Sequence, residues 1–116
     1  MKYAVLMYTR AEETKAMTPE QLEWIAAKHA ELRGDLRASG ELVGGDGLAF
    51  PEETTTLRLV DGKVVATTGL LVESPEQMSA YYLVECADLD RALEIAERVL
   101  DFHVVGAEVR RIHDSA

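Results

Sequence analysis

The spacing of apolar and polar residues changes along the first half of the chain and predicts different elements. Residues 2–8 are nearly all apolar and rich in β-forming side chains, which predicts a strand that is buried on both faces. Residues 9–17 are polar and predict a loop. Residues 41–49 are interrupted by three glycines and predict a glycine-interrupted strand or a bulged loop.

A long helix is predicted between these two strands. Thr18, Pro19 and Gln21 combine an N-cap hydroxyl, a first-turn proline and a capping box, and they mark its start. Gly40 can adopt the left-handed conformation that ends a helix, so the helix should run to about Ser39. The apolar side chains of this segment have the spacing of one helical face: Leu22, Ile25, Leu32 and Leu36.

The second half of the chain predicts a hairpin and a further strand. Residues 54–60 and 63–68 are rich in β-forming residues and flank Asp61-Gly62, the kind of two-residue loop that favours a tight hairpin. Residues 69–79 predict a loop, and residues 80–86 predict the next strand.

A second helix and a last strand complete the pattern. Asp88 is expected to cap the helix, and residues 106–112 are expected to form the strand. The predicted buried face of this helix consists of Leu89, Ala92, Leu93, Ala96, Val99 and Leu100.

This order of elements predicts an α+β fold with the ferredoxin-like split β-α-β arrangement and an antiparallel sheet. Residues 1–116 are expected to form a single domain, because their number is that of one ordinary domain. Both helices would cover the same face of the sheet and leave the other face bare. We therefore expect a homodimer through this open face, in which two sheets meet as a barrel-like core.

Composition narrows the classes of partner. Twelve Lys and Arg residues against 21 Asp and Glu residues give a net charge of −9. Because nucleic acids and anionic membrane surfaces attract cationic proteins, neither is an expected partner. The single cysteine, Cys86, cannot form an intrachain disulfide, and the first residues alternate like a strand, unlike a signal peptide. A cytoplasmic location is therefore expected.

His29 is the candidate with the clearest chemistry. It lies between Ile25 and Leu32 in the helical stripe, on the face that should meet the sheet. Because the ordinary pKa of histidine lies near neutrality, His29 could act as a general acid or base on a small-molecule ligand. Alternatively, it is a core histidine whose ring is hydrogen-bonded to a carbonyl or to a tyrosine hydroxyl.

Other residues could surround a ligand, although each also has a purely structural interpretation. The backbone near Gly45 and the carboxylate of Asp46 could approach a ligand, or could belong to a simple β-bulge. Thr68 and Glu73 follow the hairpin and could line a pocket, or could form a local turn. Tyr82 is one of two adjacent strand tyrosines that point to opposite faces. No metal site is predicted, because the three histidines lack the spacing of metal ligands.

Several segments together resemble the YCII-related family, in the branch named after an Asp-Gly-Pro-Phe motif. They are MKYAVLMY at 1–8, VGGDGL at 43–48, TTLRLVDGKVVATTG at 55–69, Glu73, Glu76-Gln77 and residues 81–85. The resemblance implies a dimeric α+β barrel of ferredoxin-like subunits. It also implies an acid–base dyad of a His and an Asp, as in family members with assigned chemistry, and His29 matches the family's helix histidine.

The chain departs from the family in the name-giving motif itself. Residues 68–71 read Thr-Gly-Leu-Leu, so Thr68 stands where the motif has its aspartate. If that aspartate is the acid of the dyad, Asp46 and Glu73 are the remaining candidates to orient His29.

Two functions are consistent with these residues. The first is an isomerase or lyase that acts on a small cyclic or aromatic substrate and requires no organic cofactor. The residues expected to act in it are His29 for proton transfer, Asp46 or Glu73 to orient the imidazole, and Thr68, Tyr82 and Gly45 to bind substrate. The second is a non-catalytic dimeric module that binds a ligand or a protein. Its implied setting is regulatory, because genes of this branch commonly lie beside those of sigma factors.

Overall fold

The computed structural model describes residues 1–113, which fold into two antiparallel sheets and three α-helices. The strands are β1 (Lys2–Thr9), β2 (Leu42–Gly47), β3 (Thr55–Val60), β4 (Lys63–Thr68), β5 (Gln77–Glu85) and β6 (Val104–Arg111). The helices are α1 (Ala11–Lys15), α2 (Pro19–Ser39) and α3 (Leu89–Glu97), with one turn of 3₁₀-helix at Pro51–Glu53. Residues 114–116 of the expected domain lie outside the described residues.

The larger sheet confirms the ferredoxin-like prediction. Its strand order is β2-β5-β1-β6, and every neighbouring pair is antiparallel. Helix α2 follows β1 and precedes β2, while α3 joins β5 to β6, which is the split β-α-β arrangement. The β3–β4 hairpin is an insertion between β2 and β5 and forms a small sheet of its own.

Alternation along β1 separates the two faces of the larger sheet. Tyr3, Val5 and Met7 are buried beneath the helices, whereas the residues between them are only partly buried. Within one copy of the chain, the predicted burial on both faces is therefore complete on the helix side and only partial on the second face. The core cluster on the helix side also contains Leu32, Leu36, Tyr82, Val84, Cys86, Ala92, Ile95, Ala96 and Val99.

Helix α2 begins and ends where the sequence predicts. The Thr18 hydroxyl accepts a hydrogen bond from the Gln21 N–H at 3.2 Å, and the Gln21 side chain accepts one from the Thr18 N–H at 3.0 Å. Gly40 ends the helix with a φ of 77°. The predicted stripe is buried only in part, since Leu36 is buried but Leu22 is 47% exposed. Farther along the helix, Ile25 and His29 line a cavity instead of packing into the core.

Helix α3 is capped as predicted, because the Asp88 side chain accepts a hydrogen bond from the Arg91 N–H at 2.9 Å. Its predicted buried face is wrong in part: Leu89, Leu93 and Leu100 are each close to half exposed. The small Ala92 and Ala96 let the helix lie close to the sheet, and the packed face rotates toward them. The residues that are buried are Ala92, Ile95, Ala96 and Val99.

Two segments predicted as loops are ordered by contacts with each other and with their neighbours. Residues 11–15 form α1, whose Ala11 N–H is hydrogen-bonded to the Gln77 side chain at 3.2 Å. Lys15 of α1 forms an ion pair with Glu52 at 2.6 Å and lies over the Phe50 ring. Strand β5 begins at Gln77, before the predicted position 80, since Gln77 pairs with Thr9 of β1. These partners are distant in sequence, so local patterns do not show them.

The bulged strand and the tight hairpin are both confirmed. The register of β2 against β5 shifts between Leu42 and Gly44, which is the bulge that the glycines predict. Asp61 and Gly62 have φ values of 50° and 78°, the left-handed conformation that a two-residue hairpin turn requires.

The two helices lie on the same face of the larger sheet, and its second face carries apolar side chains. The register places Leu6 opposite Tyr81 and Ala4 opposite Leu83 on that second face, and all four are partly exposed. No helix among the described residues is both long and apolar enough to cross a membrane.

Candidate functional site

A cavity of about 590 Å³ lies between α2, one end of the larger sheet and the segment that links β2 to β3. Its size falls within the range of small-molecule sites. Most of its wall is apolar, with contributions from Met7, Ile25, Leu48, Phe50, Leu70 and Met78. Its polar and ionisable lining residues include His29, Arg33, Tyr82 and His103. Such a mixture suits an organic ligand that is held by shape and oriented by a few polar groups.

The His29 ring is in hydrogen-bond contact with Tyr82. Its Nδ1 lies 2.8 Å from the Tyr82 hydroxyl, which projects from β5 on the helix side of the sheet. Burial lowers the pKa of His29 from 6.5, and the positive charges of Lys28 and Arg33 act in the same direction, against Asp101. The imidazole is therefore neutral at pH 7.

Arg33 influences the Tyr82 hydroxyl that His29 contacts. Burial raises the pKa of Tyr82, and a hydrogen bond and positive charge from Arg33 offset part of that rise. The Tyr82 hydroxyl can donate its own proton to Nδ1 of His29. In that arrangement the proton of the neutral imidazole lies on Nε2, and His29 is a hydrogen-bond donor toward the cavity.

His103 lies in the loop before β6 and is oriented by a carboxylate. Its Nδ1 lies 2.5 Å from Asp101 Oδ1, and only 11% of the His103 side chain is exposed. Because Asp101 is ionised, Nδ1 carries the proton and Nε2 keeps its lone pair when the ring is neutral. His103 is thus a hydrogen-bond acceptor, and a candidate base, where His29 is a donor.

Asp101 is fixed by a dense set of hydrogen bonds. Its Oδ1 also accepts from the backbone N–H groups of His103 at 2.9 Å and Val104 at 3.2 Å. Lys28 of α2 donates to its Oδ2 at 3.0 Å. Burial alone would raise the pKa of Asp101, but the bonds from His103 and Lys28 outweigh it and lower the pKa. The carboxylate therefore stays charged, and it ties the loop to α2.

Three of the sequence-predicted partners of His29 lie at the cavity, but they contribute differently. Gly45 has a φ of 153° and lies so close to β5 that an added Cβ would be 2.9 Å from Tyr82 Cδ1. It therefore permits the close approach of β2 to Tyr82. Tyr82 itself holds His29. Asp46 also lines the cavity, but it pairs with Tyr81, so its side chain points to the opposite sheet face from Tyr82.

Thr68 and Glu73 are not among the residues that line the cavity. Thr68 pairs with Thr55 at the end of the hairpin and is exposed, and Glu73 is exposed in the following loop. Their neighbours contribute in their place, through Thr54 and Leu70. The roles predicted for Thr68 and Glu73 remain predictions, and the positions of these two residues do not support them.

The site contains residues that the sequence reasoning missed. Asp101 and His103 are separated by one residue just before the last strand, a spacing that allows a loop carboxylate to bond the following imidazole. Arg33 lies four positions after His29, hence on the same side of α2. Both spacings are short and common in protein sequences. They indicate a site only once the fold is known to bring these residues to one cavity.

Comparison with known proteins agrees with this fold. The family model of the YCII-related domain matches residues 1–114, which include every side chain of the cavity. An uncharacterised protein of Rhizobium meliloti (strain 1021) is 31% identical over 96 residues, which are 83% of this chain and 77% of the relative. The match over nearly the whole length, together with the ferredoxin-like topology, shows that the chain belongs to the YCII-related family.

Proposed function

We propose that the protein is a small-molecule enzyme that moves a proton on a cyclic or aromatic substrate, as an isomerase or a lyase. The observation that carries this proposal is the pairing of two imidazoles in one largely apolar cavity. One is held by a tyrosine hydroxyl and the other by a carboxylate, so they present a donor and an acceptor to the same space. A donor and an acceptor facing one ligand are what general acid–base catalysis requires.

The proposed step begins with His103. Its Nε2 accepts a proton from a carbon next to a carbonyl group of the substrate, and the electron pair of the broken C–H bond moves toward the carbonyl oxygen. Asp101 stabilises the imidazolium that results and keeps its ring in place. Return of the proton to another carbon gives isomerisation, whereas loss of a leaving group from the adjacent carbon gives elimination.

His29 has the complementary role in this proposal. Its Nε2–H donates a hydrogen bond to the carbonyl oxygen, on which negative charge develops as the proton leaves. A neutral imidazole suits this task, because it donates without forming an ion pair with the substrate in the ground state. The sequence assigned His29 the proton transfer itself, and here it becomes the stabiliser of the oxyanion.

The test uses 5-nitrobenzisoxazole, an aromatic probe whose ring opens when a base removes one proton. We expect wild type to open it faster than buffer, and His103→Gln to lower the rate by about 10²- to 10⁴-fold. His29→Gln should lower it less, since the oxyanion formed from this probe is already well stabilised. His113→Gln is the matched control, because His113 is exposed and does not line the cavity. Equal rates for wild type, His103→Gln and His113→Gln would reject the proposal.

A non-catalytic binding module is the second candidate, and one observation favours it. The partner of His29 is a tyrosine hydroxyl, which is the arrangement expected of a histidine with a structural role. In that case a ligand would occupy the cavity without being changed. The same assay separates the two functions, because a binding module would bind the probe and release it intact in every variant.

We also propose that two copies pair through the second face of the larger sheet. Support comes from the partly exposed apolar side chains of Leu6, Tyr81 and Leu83 on that face. Leu6→Lys should then convert a dimer to a monomer in light scattering at micromolar concentration. Leu22→Lys, at an exposed position on α2, should leave the mass unchanged. A monomeric wild type, or a dimeric Leu6→Lys variant, would contradict the proposal.

A further inference from the structure

We propose that the cavity selects a small organic anion and that Arg33 binds its carboxylate group. This inference rests on the proposed function, because it names the substrate class of the same site. It differs in that it concerns binding alone and holds for an enzyme or for a binding module.

The first step is the balance of charge around the cavity. The protein as a whole is acidic, with 21 acidic residues against 12 basic ones. The cavity reverses this balance. Its charged or ionisable lining residues are Arg33, His29, His103 and Asp46, besides two tyrosines. Asp46 pairs with Tyr81, so the register directs its side chain to the opposite sheet face from Tyr82, and the lining groups that can carry a positive charge are Arg33, His29 and His103.

The second step concerns the partners of Arg33. Within residues 1–113 it forms no ion pair with a carboxylate, although it is partly buried. Arg91, which is also partly buried, pairs with Glu41 at 2.8 Å. Arg33 acts on the Tyr82 hydroxyl and lowers the pKa of that tyrosine, and a single hydroxyl oxygen can engage only part of the five N–H groups of the guanidinium. A partly desolvated guanidinium with free donors is well suited to a bidentate carboxylate.

The third step is the position of Arg33 relative to the proposed chemistry. Ile25, His29 and Arg33 follow each other at intervals of four residues, so they form one row along α2, and all three line the cavity. One helical turn, about 5.4 Å, separates His29 from Arg33. A carboxylate held by Arg33 therefore places the atoms two or three bonds away beside the imidazole, while the apolar wall takes the hydrocarbon part of the ligand.

A further observation agrees with a site that favours anions. Besides burial, the positive charges of Lys28 and Arg33 lower the pKa of His29. An anion bound nearby would favour the charged form of the ring and raise that pKa. The titration of His29 with and without the ligand is therefore an independent readout of where the anion lies.

The experiment compares 2-naphthoate with its neutral counterpart 2-naphthylmethanol, by NMR titration at pH 7.5. We expect wild type to bind 2-naphthoate about tenfold or more tightly than the alcohol. Arg33→Gln should reduce this preference to about one, and Arg33→Lys should keep part of it, since lysine retains the charge without the bidentate geometry. Arg37→Gln is the matched control, because Arg37 is exposed on the same helix and does not line the cavity. Binding of the alcohol in each variant shows that the cavity is intact.

Three outcomes would overturn the inference. They are equal binding of the two compounds by wild type, an unchanged preference in Arg33→Gln, and no binding of 2-naphthoate at about 10 mM. The test is separate from that of the proposed function, because it measures binding without turnover. Conversely, 5-nitrobenzisoxazole is uncharged, so its ring opening needs no anion-binding residue. Selective anion binding with no ring opening would keep this inference and reject the enzyme.

Discussion

The two sides of the cavity present the same side chain in different electrostatic surroundings. On the α2 side, His29 is bound to the neutral hydroxyl of Tyr82, next to the guanidinium of Arg33. On the loop side, His103 is bound to the charged carboxylate of Asp101. The cation next to each of these partners differs as well. Lys28 forms an ion pair with Asp101, whereas Arg33, beside Tyr82, has no carboxylate partner within the described chain.

This difference shows that the partner of Nδ1 decides what an imidazole can do. When the Tyr82 hydroxyl donates to Nδ1, Nε2 of His29 is a donor, whereas the Asp101 carboxylate leaves Nε2 of His103 as an acceptor. The two partners also differ in what they contribute to the fold. Asp101 closes the link between a loop and a helix, while Tyr82 belongs to a strand that is already held on both sides. Substitutions on the loop side should therefore lower the free energy of unfolding more than substitutions on the α2 side.

The largest expected effect is that of Asp101→Asn. The amide removes the charge that Lys28 and the His103 ring share, and it leaves the mostly buried Lys28 ammonium group bonded to the Leu100 carbonyl oxygen but without an ion-pair partner. We expect a loss of about 3 kcal/mol in the free energy of unfolding, measured by urea denaturation. Any base activity of His103 should fall by about 10²- to 10⁴-fold, because its tautomer is no longer fixed.

The matched control for this change is Asp35→Asn. Asp35 pairs with Arg98 at 2.8 Å, but both side chains are well exposed. An exposed pair contributes less than about 1 kcal/mol, so the control should unfold at nearly the wild-type urea concentration. Similar losses of stability in both variants would show that Asp101 contributes no more to stability than an exposed ion pair does.

How far the sequence predicts the molecule depends on whether the partners are local. The capping box of α2 and the turn at Asp61 involve neighbours within a few positions, and both are confirmed. Helix α1 depends on Lys15 meeting Glu52, and it was predicted as a loop. The same limit applies to the site. Periodicity singled out His29, but the role of Asp101 depends on Lys28, which is 73 positions away.

The next largest effect should come from Gly45→Ala, which tests the packing behind the α2 side. A Cβ at this position would lie 2.5 Å from the Tyr81 carbonyl oxygen and 2.9 Å from Tyr82 Cδ1, and the φ of 153° is strained for alanine. We expect a loss of about 2–3 kcal/mol in the free energy of unfolding and a displaced Tyr82 ring.

Gly44→Ala is the control for this substitution, since a Cβ there has nothing within 4 Å. It should change the free energy of unfolding by less than about 1 kcal/mol. NMR spectra should show altered shifts for His29 in Gly45→Ala, while those of His103 stay close to wild type. An equal disturbance of both rings would mean that the two sides of the cavity are not independent.

A smaller effect is expected for Tyr82→Phe, which keeps the ring but removes the hydroxyl. Nδ1 of His29 then loses its hydrogen bond, and Arg33 loses one acceptor. The cost should be about 1–2 kcal/mol in the free energy of unfolding. Nitrogen NMR should show that the neutral ring of His29 no longer prefers one tautomer, while His103 keeps its own. Tyr81→Phe, on the opposite sheet face, should leave both rings unchanged.

The smallest effect is the pH dependence of stability that His29, on the α2 side, contributes. Burial lowers the pKa of His29 below its ordinary value of 6.5, so the unfolded chain takes up this proton at a higher pH than the folded one. The unfolded state therefore binds more protons between the two pKa values, and stability falls as the pH drops through 6.5 and levels off below the folded pKa. Asp101 affects stability in a different pH range, because its pKa is lowered and its contribution to stability is lost only below pH 3.8.

Urea denaturation of wild type and His29→Gln between pH 8 and pH 5, about the range in which histidine titrates, isolates the contribution of His29. Wild type should lose more stability than the variant on acidification. A smaller loss in wild type would mean that the folded protein stabilises the charged ring, and His29 would then not be the neutral donor that distinguishes it from His103.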